Sequence, residues 1–422
     1  MRITAPSPSE RIPREQIDLF SPSLYTEGDP HLVWQTLRRE EPVFWQELGD
    51  GRGFWSVTKH NDCCRVLGDY ASFTSARGVV LKMLGTDDPA GGRQMAVSDP
   101  PRHTYVRQQL SEMFTPAALQ PHLPRIRAAV RQLLTPMTEQ QPWDMGAAMT
   151  ALPMLISGLL MGLPQDDHEF LVQRGVMTVA PDDQEFQVGG SSTATLRQAH
   201  HDLFAYFADQ VRERKRKPHD SLASRDLIGR LMTVRVDGLR LTDGEIVSNC
   251  YSILLGANVN TGHVISAAML RLMNDPEQFD LWSRDEGLFK RGIREALRWS
   301  SPVMHFLRHV VKDTEIRGRK MRKGDGVVAW IPSANRDEEI FEQPFRFVVG
   351  RRPNPEIAFG YGPHRCIGIA PAEVTLELAL REIFARVARF ELAGKVEHLY
   401  SNFTAGIKHL PVVAHPRPNP CC

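Results

Sequence analysis

The chain reads as a mainly α-helical protein with small β-sheets. Two observations predict this class. Helical periodicity runs through Leu119 to Leu160, and an apolar helical stretch spans Asp243 to Met273. Strand-like alternation is confined to short segments such as Phe54-Trp-Ser-Val57. No internal repeat and no linker cuts the chain, so one domain is expected over residues 1–422, with an irregular arm at 1–30 rich in Pro, Ser, Asp and Glu.

The bulk numbers narrow the function classes. The 422 residues are 42% hydrophobic and 24% charged, ordinary for a globule, and the net charge of +1 gives no reason to expect nucleic acid or an anionic membrane as partner. The first ten residues contain no apolar run, so a soluble cytoplasmic protein is expected. Six cysteines (63, 64, 250, 366, 421 and 422) show no Cys-x-x-Cys spacing, which argues against a zinc site and for a reducing compartment.

In chain order, a helix is expected from His31 to Arg39, then the strand at Phe54, then a short helix from Lys59. Segment 76–99 reads as a loop. Asp99-Pro-Pro enters a helix that places His103 and Arg107 four residues apart on one face, a pair able to bind two carboxylates. Prolines 136, 142 and 153 interrupt the following helices, and Met161-Gly-Leu-Pro164 closes one. Residues 165–195, acidic and containing Gly189-Gly190, suggest a flexible cover. The basic run Arg212 to Pro218 reads as a solvated helix end favoured by the dipole. Within the apolar stretch, Gly256 and Gly262 each cost about 1 kcal/mol relative to Ala, and a ligand lying against the helix would explain them. Asn258, Asn260 and Thr261 need polar partners there. Another helix follows Pro276 and carries Glu295 and Arg298 on one face.

The richest stretch is Phe359-Gly-Tyr-Gly-Pro-His-Arg-Cys-Ile-Gly368. Cys366 precedes a helix-forming run, where the dipole favours thiolate over thiol. The flanking glycines let the backbone approach a flat ligand and let amides donate to the sulfur. Alone, a cysteine would read as a buried structural residue; in this context it suggests a haem iron held by one thiolate.

These ten residues resemble the haem-binding signature of the cytochrome P450 family (Phe-Gly-x-Gly-x-His-x-Cys-x-Gly) at every fixed position. The resemblance runs from about Phe54 to Val412 and implies the family's triangular helical prism. It implies haem b (iron protoporphyrin IX) with Cys366 as metal ligand. Phe359, Gly360, Gly368 and Ala257 would lie around the haem, and His103, Arg107, Arg308 and His364 would anchor its propionates. It identifies 76–99 as a loop over the substrate pocket, 165–195 as a mobile lid, and Glu295, Arg298 and Arg346 as a structural triad. It also fits Val327-Val-Ala-Trp-Ile331 and Ala334-Asn-Arg-Asp337 to a strand and turn. Pocket candidates are Val79, Val80, Phe186, Val188, Asn258, His305, Phe306 and Phe403.

The sequence departs from the family at the distal helix. The usual Ala/Gly-Gly-x-Asp/Glu-Thr is here Gly256-Ala-Asn-Val-Asn260, then Thr261. Val259 takes the acid position and Asn260 the alcohol position, and neither is an acid at neutral pH. In a continuous helix Thr261 lies about 100° round from Asn260 and cannot replace it. Protons would come from water held by Asn258 or Asn260, from His263 or His305, or from the substrate. Three milder departures are Glu356 for a common His, Pro371 for Leu and Glu373 for Arg.

The implied activity is oxidative tailoring of a small organic molecule, in secondary metabolism, by a monomer that receives electrons from a separate ferredoxin and ferredoxin reductase. Coupling, cyclisation, nitration or substrate-assisted hydroxylation would each tolerate the altered distal pair, with Asn260, Thr261 and Asn258 as catalytic candidates. The alternatives are a peroxide- or nitric-oxide-using member, or a haem sensor without turnover.

Overall fold

Local capping starts many of the helices. Asp29 accepts the Leu32 amide (3.0 Å) and Pro30 sits in the first turn, which begins α1 (Pro30–Glu40). The structure, a computed structural model, describes residues 1–7, 9–139, 141–216 and 226–417. Lys217, Pro218, Cys421 and Cys422 lie outside the described residues. The N-terminal arm is more ordered than its composition suggests. It contains a short helix at Pro22–Thr26, and Ile17, Leu19 and Tyr25 are buried against Trp34 and Trp330.

The chain continues with β1 (Val43–Glu47), β2 (Gly53–Val57), α2 (His60–Gly68), β3 (Phe73–Thr74), α3 (Arg102–Leu110) and α4 (Leu123–Leu133). Next come β4 (Trp143–Asp144), α5 (Met145–Ala151), α6 (Met154–Met161), α7 (His168–Val179) and α8 (Ser192–Arg216). The segment expected as a flexible cover is therefore mostly helix. The apolar stretch forms α9 (Asp243–Asn258) and α10 (Thr261–Leu272). A capping box between Thr242 and Glu245 starts α9. Beyond it lie α11 (Pro276–Arg284), α12 (Phe289–Ser300), β5 (His305–Val310), β6 (Gly326–Trp330), α13 (Ile369–Arg386), β7 (Val387–Leu392), β8 (Glu397–His398), β9 (Ile407–His409) and β10 (Pro411–Pro416). The region after Pro276 is thus two helices, and Glu295 and Arg298 belong to the second.

The largest sheet has the order β1-β2-β6-β5-β3, with β6 parallel to β2 and the other pairs antiparallel. A smaller sheet, β7-β10-β4, packs its apolar face into the main core with α4, α5, α10 and α13. The stretch Asp243–Leu272 is long and apolar enough to cross a membrane, yet 56% of its apolar window is buried inside the fold. Its interior glycine, Gly262, is explained by packing rather than by a ligand: a Cβ there would lie 1.8 Å from the Met149 carbonyl oxygen of α5.

One buried charge network joins α12 to the segment before the cysteine loop. Arg298 donates to both oxygens of Glu295 (2.8 Å each), and both side chains are fully buried. The third member is Arg351, not Arg346. Arg351 Nε reaches both Glu295 oxygens (3.1 and 3.0 Å). Arg346 offers the network only its carbonyl, which accepts from Arg298 and Arg351, while its exposed side chain donates to Gln343. Removing one partner of a buried pair strands the other charge. Arg351→Ala leaves Glu295 paired with Arg298 but removes two charged hydrogen bonds, so it should lose about 1–3 kcal/mol in chemical denaturation, whereas Arg346→Ala should stay within about 0.5 kcal/mol, the range for surface substitutions.

Candidate active site

The cysteine loop is built from hydrogen bonds within 357–366 and from close contact with α2. The Gly360 amide donates to the Ile357 carbonyl, the Arg365 amide to Gly362, and the Cys366 amide to Phe359 (2.8, 3.0 and 2.8 Å). Gly360 and Gly362 have φ of 74° and 71°, in the left-handed region that penalises a side chain. At Gly362 a Cβ would also lie 2.6 Å from the Cα of Gly68, so only glycine lets the loop seat on α2. Cys366 precedes Gly368, the N-cap of α13. Burial pushes its thiol pKa up, and the Gly368 amide, Arg107 and Arg365 oppose this. Helix position alone therefore does not hold the thiolate, because desolvation outweighs it. A cation bound to the sulfur would supply the missing stabilisation.

Four side chains converge near this loop with unused donors. The rings of His103 (α3) and His364 (loop) lie 4.1 Å apart, and His103 Nδ1 and His364 Nε2 are buried without a hydrogen-bond partner. Burial lowers their pKa values, to about 4 and about 2. Arg308 on β5 is buried and lowered to about 10 by desolvation, and its side chain meets only the neighbouring Leu307 carbonyl. Arg107 is also lowered by burial. Among the described residues neither arginine has a carboxylate within ion-pair distance. Two buried arginines and two orphaned imidazoles are a donor set for two carboxylates. This fits the propionates of a haem, whose sulfur ligand would be Cys366.

Along β5 the side chains alternate. Phe306 lies 3.8 Å from where a Gly360 Cβ would stand, and Arg308 stacks near Phe306, so these residues share the face toward the loop. His305 faces the other way, against Trp330 and Phe403. The Leu81 amide donates to its Nε2 (2.9 Å), so Nδ1 carries the proton and donates to the Asn402 carbonyl (3.0 Å). Burial lowers its pKa to about 3. His305 is thus a neutral structural residue, and neither a proton source nor a pocket wall. His263 is likewise neutral, lowered to about 4, and its ring abuts Gly406.

The distal helix departs from the expected single run. It breaks at Val259 (φ −92°, ψ 5°) and Asn260 (φ −129°, ψ −50°), so Thr261 opens a new helix and the 100° relation does not apply. Gly256 is exposed, with no atom within 4 Å of its Cβ position, and Ala257 is half-buried beside it. Asn258 is turned away from this open side: its amide donates to Leu254 and its carbonyl accepts from Ser157 on α6 (2.9 and 3.0 Å). That satisfies a buried amide and removes Asn258 from the pocket and from water handling. Val259 packs on Gly175 of α7, 3.6 Å from its Cβ position. Asn260 Oδ1 is buried and has no partner.

The remaining pocket candidates divide. Val79 and Val80 are half-buried, and the Val79 carbonyl accepts the Leu307 amide. Phe403 is half-buried against His305. Phe186 packs on Val176, Ala180 and Leu399. Val188, 45% exposed, lies on the surface, because its amide is spent on Thr195 at the start of α8.

Sequence reasoning missed a charged clasp over the α7–α8 connection. Buried Asp183 accepts from Lys408 Nζ (2.9 Å) and from the Tyr400 amide (2.8 Å). Glu185 meets Lys408 and His409 Nε2 (3.0 Å each), and His409 Nδ1 meets Asp144 (2.6 Å). Lys82 pairs with Asp182. The connection expected to be mobile is thus tied to β9 and to the loop before α3. The clasp was invisible in the sequence because its bonded partners are up to 265 positions apart.

The hydrogen bonds from Asp144 and then Glu185 raise the pKa of His409, with Lys408 and Glu397 as its other charged neighbours. The charged form is favoured in the folded state, so this contribution is full below the ordinary value of 6.5 and is lost as pH rises through the higher folded value. Hydrogen exchange in 181–187, corrected for intrinsic rates, should quicken as the pH rises above the ordinary imidazole value of 6.5. His409→Gln should abolish that dependence.

Comparison with known proteins places this geometry. The cytochrome P450 family model matches residues 288–401. Linalool 8-monooxygenase of Pseudomonas putida is 32% identical over 413 residues, covering 96% of this chain and 100% of that protein. Cytochrome P450 NovI of Streptomyces niveus is 31% identical, covering 96% and 97%. The crystal structure of P450 OxyD, involved in the biosynthesis of vancomycin-type antibiotics, superposes with a TM-score of 0.82 at 31% identity, over 95% of this chain and 100% of that one. A Mycobacterium marinum cytochrome P450 in complex with pseudoionone gives 0.85 at 27% identity, over 96% and 100%.

Proposed function

The chain belongs to the cytochrome P450 family, a haem-dependent monooxygenase, and we propose that Cys366 is its axial iron ligand and that its distal side handles protons in an atypical way. The observation that carries the first part is the set of His103, Arg107, Arg308 and His364 beside the Cys366 loop: His103 Nδ1 and His364 Nε2 are buried without a partner, neither arginine is paired with a carboxylate, and the four together match two propionates. A haem held there would supply oxygen-activating redox chemistry, and the Cys366 thiolate would donate electron density to its iron. Within this reading Phe359, Gly360 and Gly368 shape the sulfur side, and Gly256 and Ala257 leave room on the other face.

Val259 and Asn260 carry the second part. Val259 is buried against α7, where it excludes water and offers no proton. The Asn260 carbonyl oxygen needs a donor, and a water or a substrate N–H or O–H at the helix break would satisfy it. Thr261, next along the chain, is the hydroxyl nearest in sequence to such a group. This arrangement favours chemistry in which substrate or water supplies the proton: substrate-assisted hydroxylation, coupling, cyclisation or nitration. A second reading rests on the same valine. An oxidant such as peroxide brings its own protons, so turnover with peroxide and none with ferredoxin, reductase and reduced nicotinamide would select it. Nitric oxide is the other oxidant source to be tried.

The substrate is proposed to be a small organic molecule of secondary metabolism, in line with the similar P450 OxyD, which is involved in the biosynthesis of vancomycin-type antibiotics. Electrons would come from a separate ferredoxin and its reductase, in the cytoplasm, to a monomer. Among the described residues no three of Cys, His, Asp and Glu come together in a group that could hold a second metal centre.

Cys366→Ala should abolish the red-shifted Soret band of the reduced carbon monoxide complex; a retained band would overturn the axial assignment. Asn260→Thr should change the share of consumed oxygen that appears in product rather than in peroxide, and an unchanged share would remove Asn260 from proton handling. Val259→Asp should not help, because its carboxylate would be buried against Gly175 and Leu255 with no cation beside it. It should cost about 1–3 kcal/mol in thermal or chemical unfolding.

A further inference from the structure

The segment leading into the cysteine loop carries a buried carboxylate that the haem donor set does not use. The Glu356 side chain is fully buried and forms an ion pair with Arg294 of α12. Its second oxygen accepts the Ala358 amide at 2.6 Å. The Arg294 guanidinium lies 6.0 Å from the centre of the Phe359 ring, and its other nitrogen faces Glu373 of α13 at 3.9 Å. Phe359 in turn supplies the carbonyl that receives the Cys366 amide. The next residue after Glu356 is fixed too: the Ile357 amide donates to buried Asn335 at 2.9 Å. Peptides 356 to 359 are therefore gripped at every step, and the grip ends on the peptide that aims Cys366.

We propose that Glu356 and Arg294 are positioning residues for the axial thiolate, acting through Ala358 and Phe359. The inference rests on the assignment of Cys366 as iron ligand. Its logic is that of an outer shell around a metal ligand: groups that do not touch the metal fix the ligand's direction and its hydrogen bonds. Glu356 does this in two ways. One oxygen holds the loop backbone, and the other holds Arg294 across the ring of Phe359, the side chain next to the sulfur-bearing turn. Burial raises the Glu356 carboxyl above its ordinary range, and the neighbouring Arg294 opposes that. Losing either one frees both the Phe359 ring and the Ala358 peptide.

The test compares the haem-loaded wild type with Glu356→Gln, Arg294→Met and Arg294→Lys. The readouts are the fraction of the reduced carbon monoxide complex in the red-shifted band, and the rate of haem transfer to apomyoglobin. Glu356→Gln and Arg294→Met should each lose part of the red-shifted band to a blue-shifted one and release haem about tenfold faster. Arg294→Lys, which keeps the charge, should recover most of the band. The combined Glu356→Gln/Arg294→Met variant should be no worse than either alone, as members of one unit behave. Lower melting temperatures with an unchanged band fraction and haem release would overturn the proposal, since that is what a merely structural pair would do; unchanged values throughout would overturn it as well. Should Glu356→Gln fail to fold, Arg294→Met carries the test, because Arg294 is partly open to solvent. Absence of the red-shifted band from the wild type would instead reject the thiolate assignment itself.

Discussion

The rest of the structure depends on Glu295, one carboxylate with no exposure to water. Arg298 and Arg351 both bind it, and the Val348 amide (2.9 Å) and the Asn354 side chain (3.4 Å) add to its partners. Arg298 spends its remaining donors on the carbonyls of Asn335, Pro344 and Arg346. A buried ion pair is a weak source of net stability, because desolvation offsets attraction. A fully satisfied network is different in kind, since any other path for segment 335–354 would leave several buried groups without partners. The network thus selects one course for the chain that leads into the cysteine loop. Glu356 extends the same logic a few residues further.

From that anchored side the site can be understood as two unlike faces. On the sulfur face, donors come from rigid elements: α3 gives His103 and Arg107, β5 gives Arg308, and the loop gives His364. On the opposite face the helix is broken, a glycine leaves open space, and the connection between α7 and α8 is held by the clasp of buried Asp183 with part-exposed charges and by the packing of Phe186. Charges at partial exposure are screened and weak, and a clasp of them is suited to opening. Positioning on the sulfur side and the charged clasp over the α7–α8 connection thus rest on different kinds of interaction.

How much of this was readable in the sequence follows the range of each interaction. The cysteine loop is local: ten consecutive residues hold its turns, its glycines and its sulfur. The His103–Arg107 pair is local too, one turn of helix. The triad was half readable, because Glu295 and Arg298 are one turn apart, but its third member depends on how residues 342–351 fold back, and Arg351 rather than Arg346 points inward. His305 shows the same limit. Its chemistry suggested a proton source, yet an amide from Leu81, 224 positions earlier, fixes it as a neutral acceptor. Gly262 was assigned to a ligand when its cause is a carbonyl on another helix. Residue type states what a side chain can do; only the partner states what is left for it to do.

That distinction bears most on the distal break. A helix can lose its regular bonds at Val259 and Asn260 only if something else accepts or donates there, since buried amide groups without partners cost about 1–3 kcal/mol. Asn258 is satisfied by Leu254 and Ser157, the Val259 amide still donates to the Leu255 carbonyl at 3.3 Å, and the Asn260 backbone carbonyl accepts the His263 amide. The unmet side-chain acceptor at the break is therefore Asn260 Oδ1. An acceptor, unlike the acid–alcohol pair it replaces, cannot release a proton; it can only hold a group that does. On the proposed reading, the residue at this position would govern which donor is held there, and the reaction's outcome would follow the substrate or water seated at Asn260.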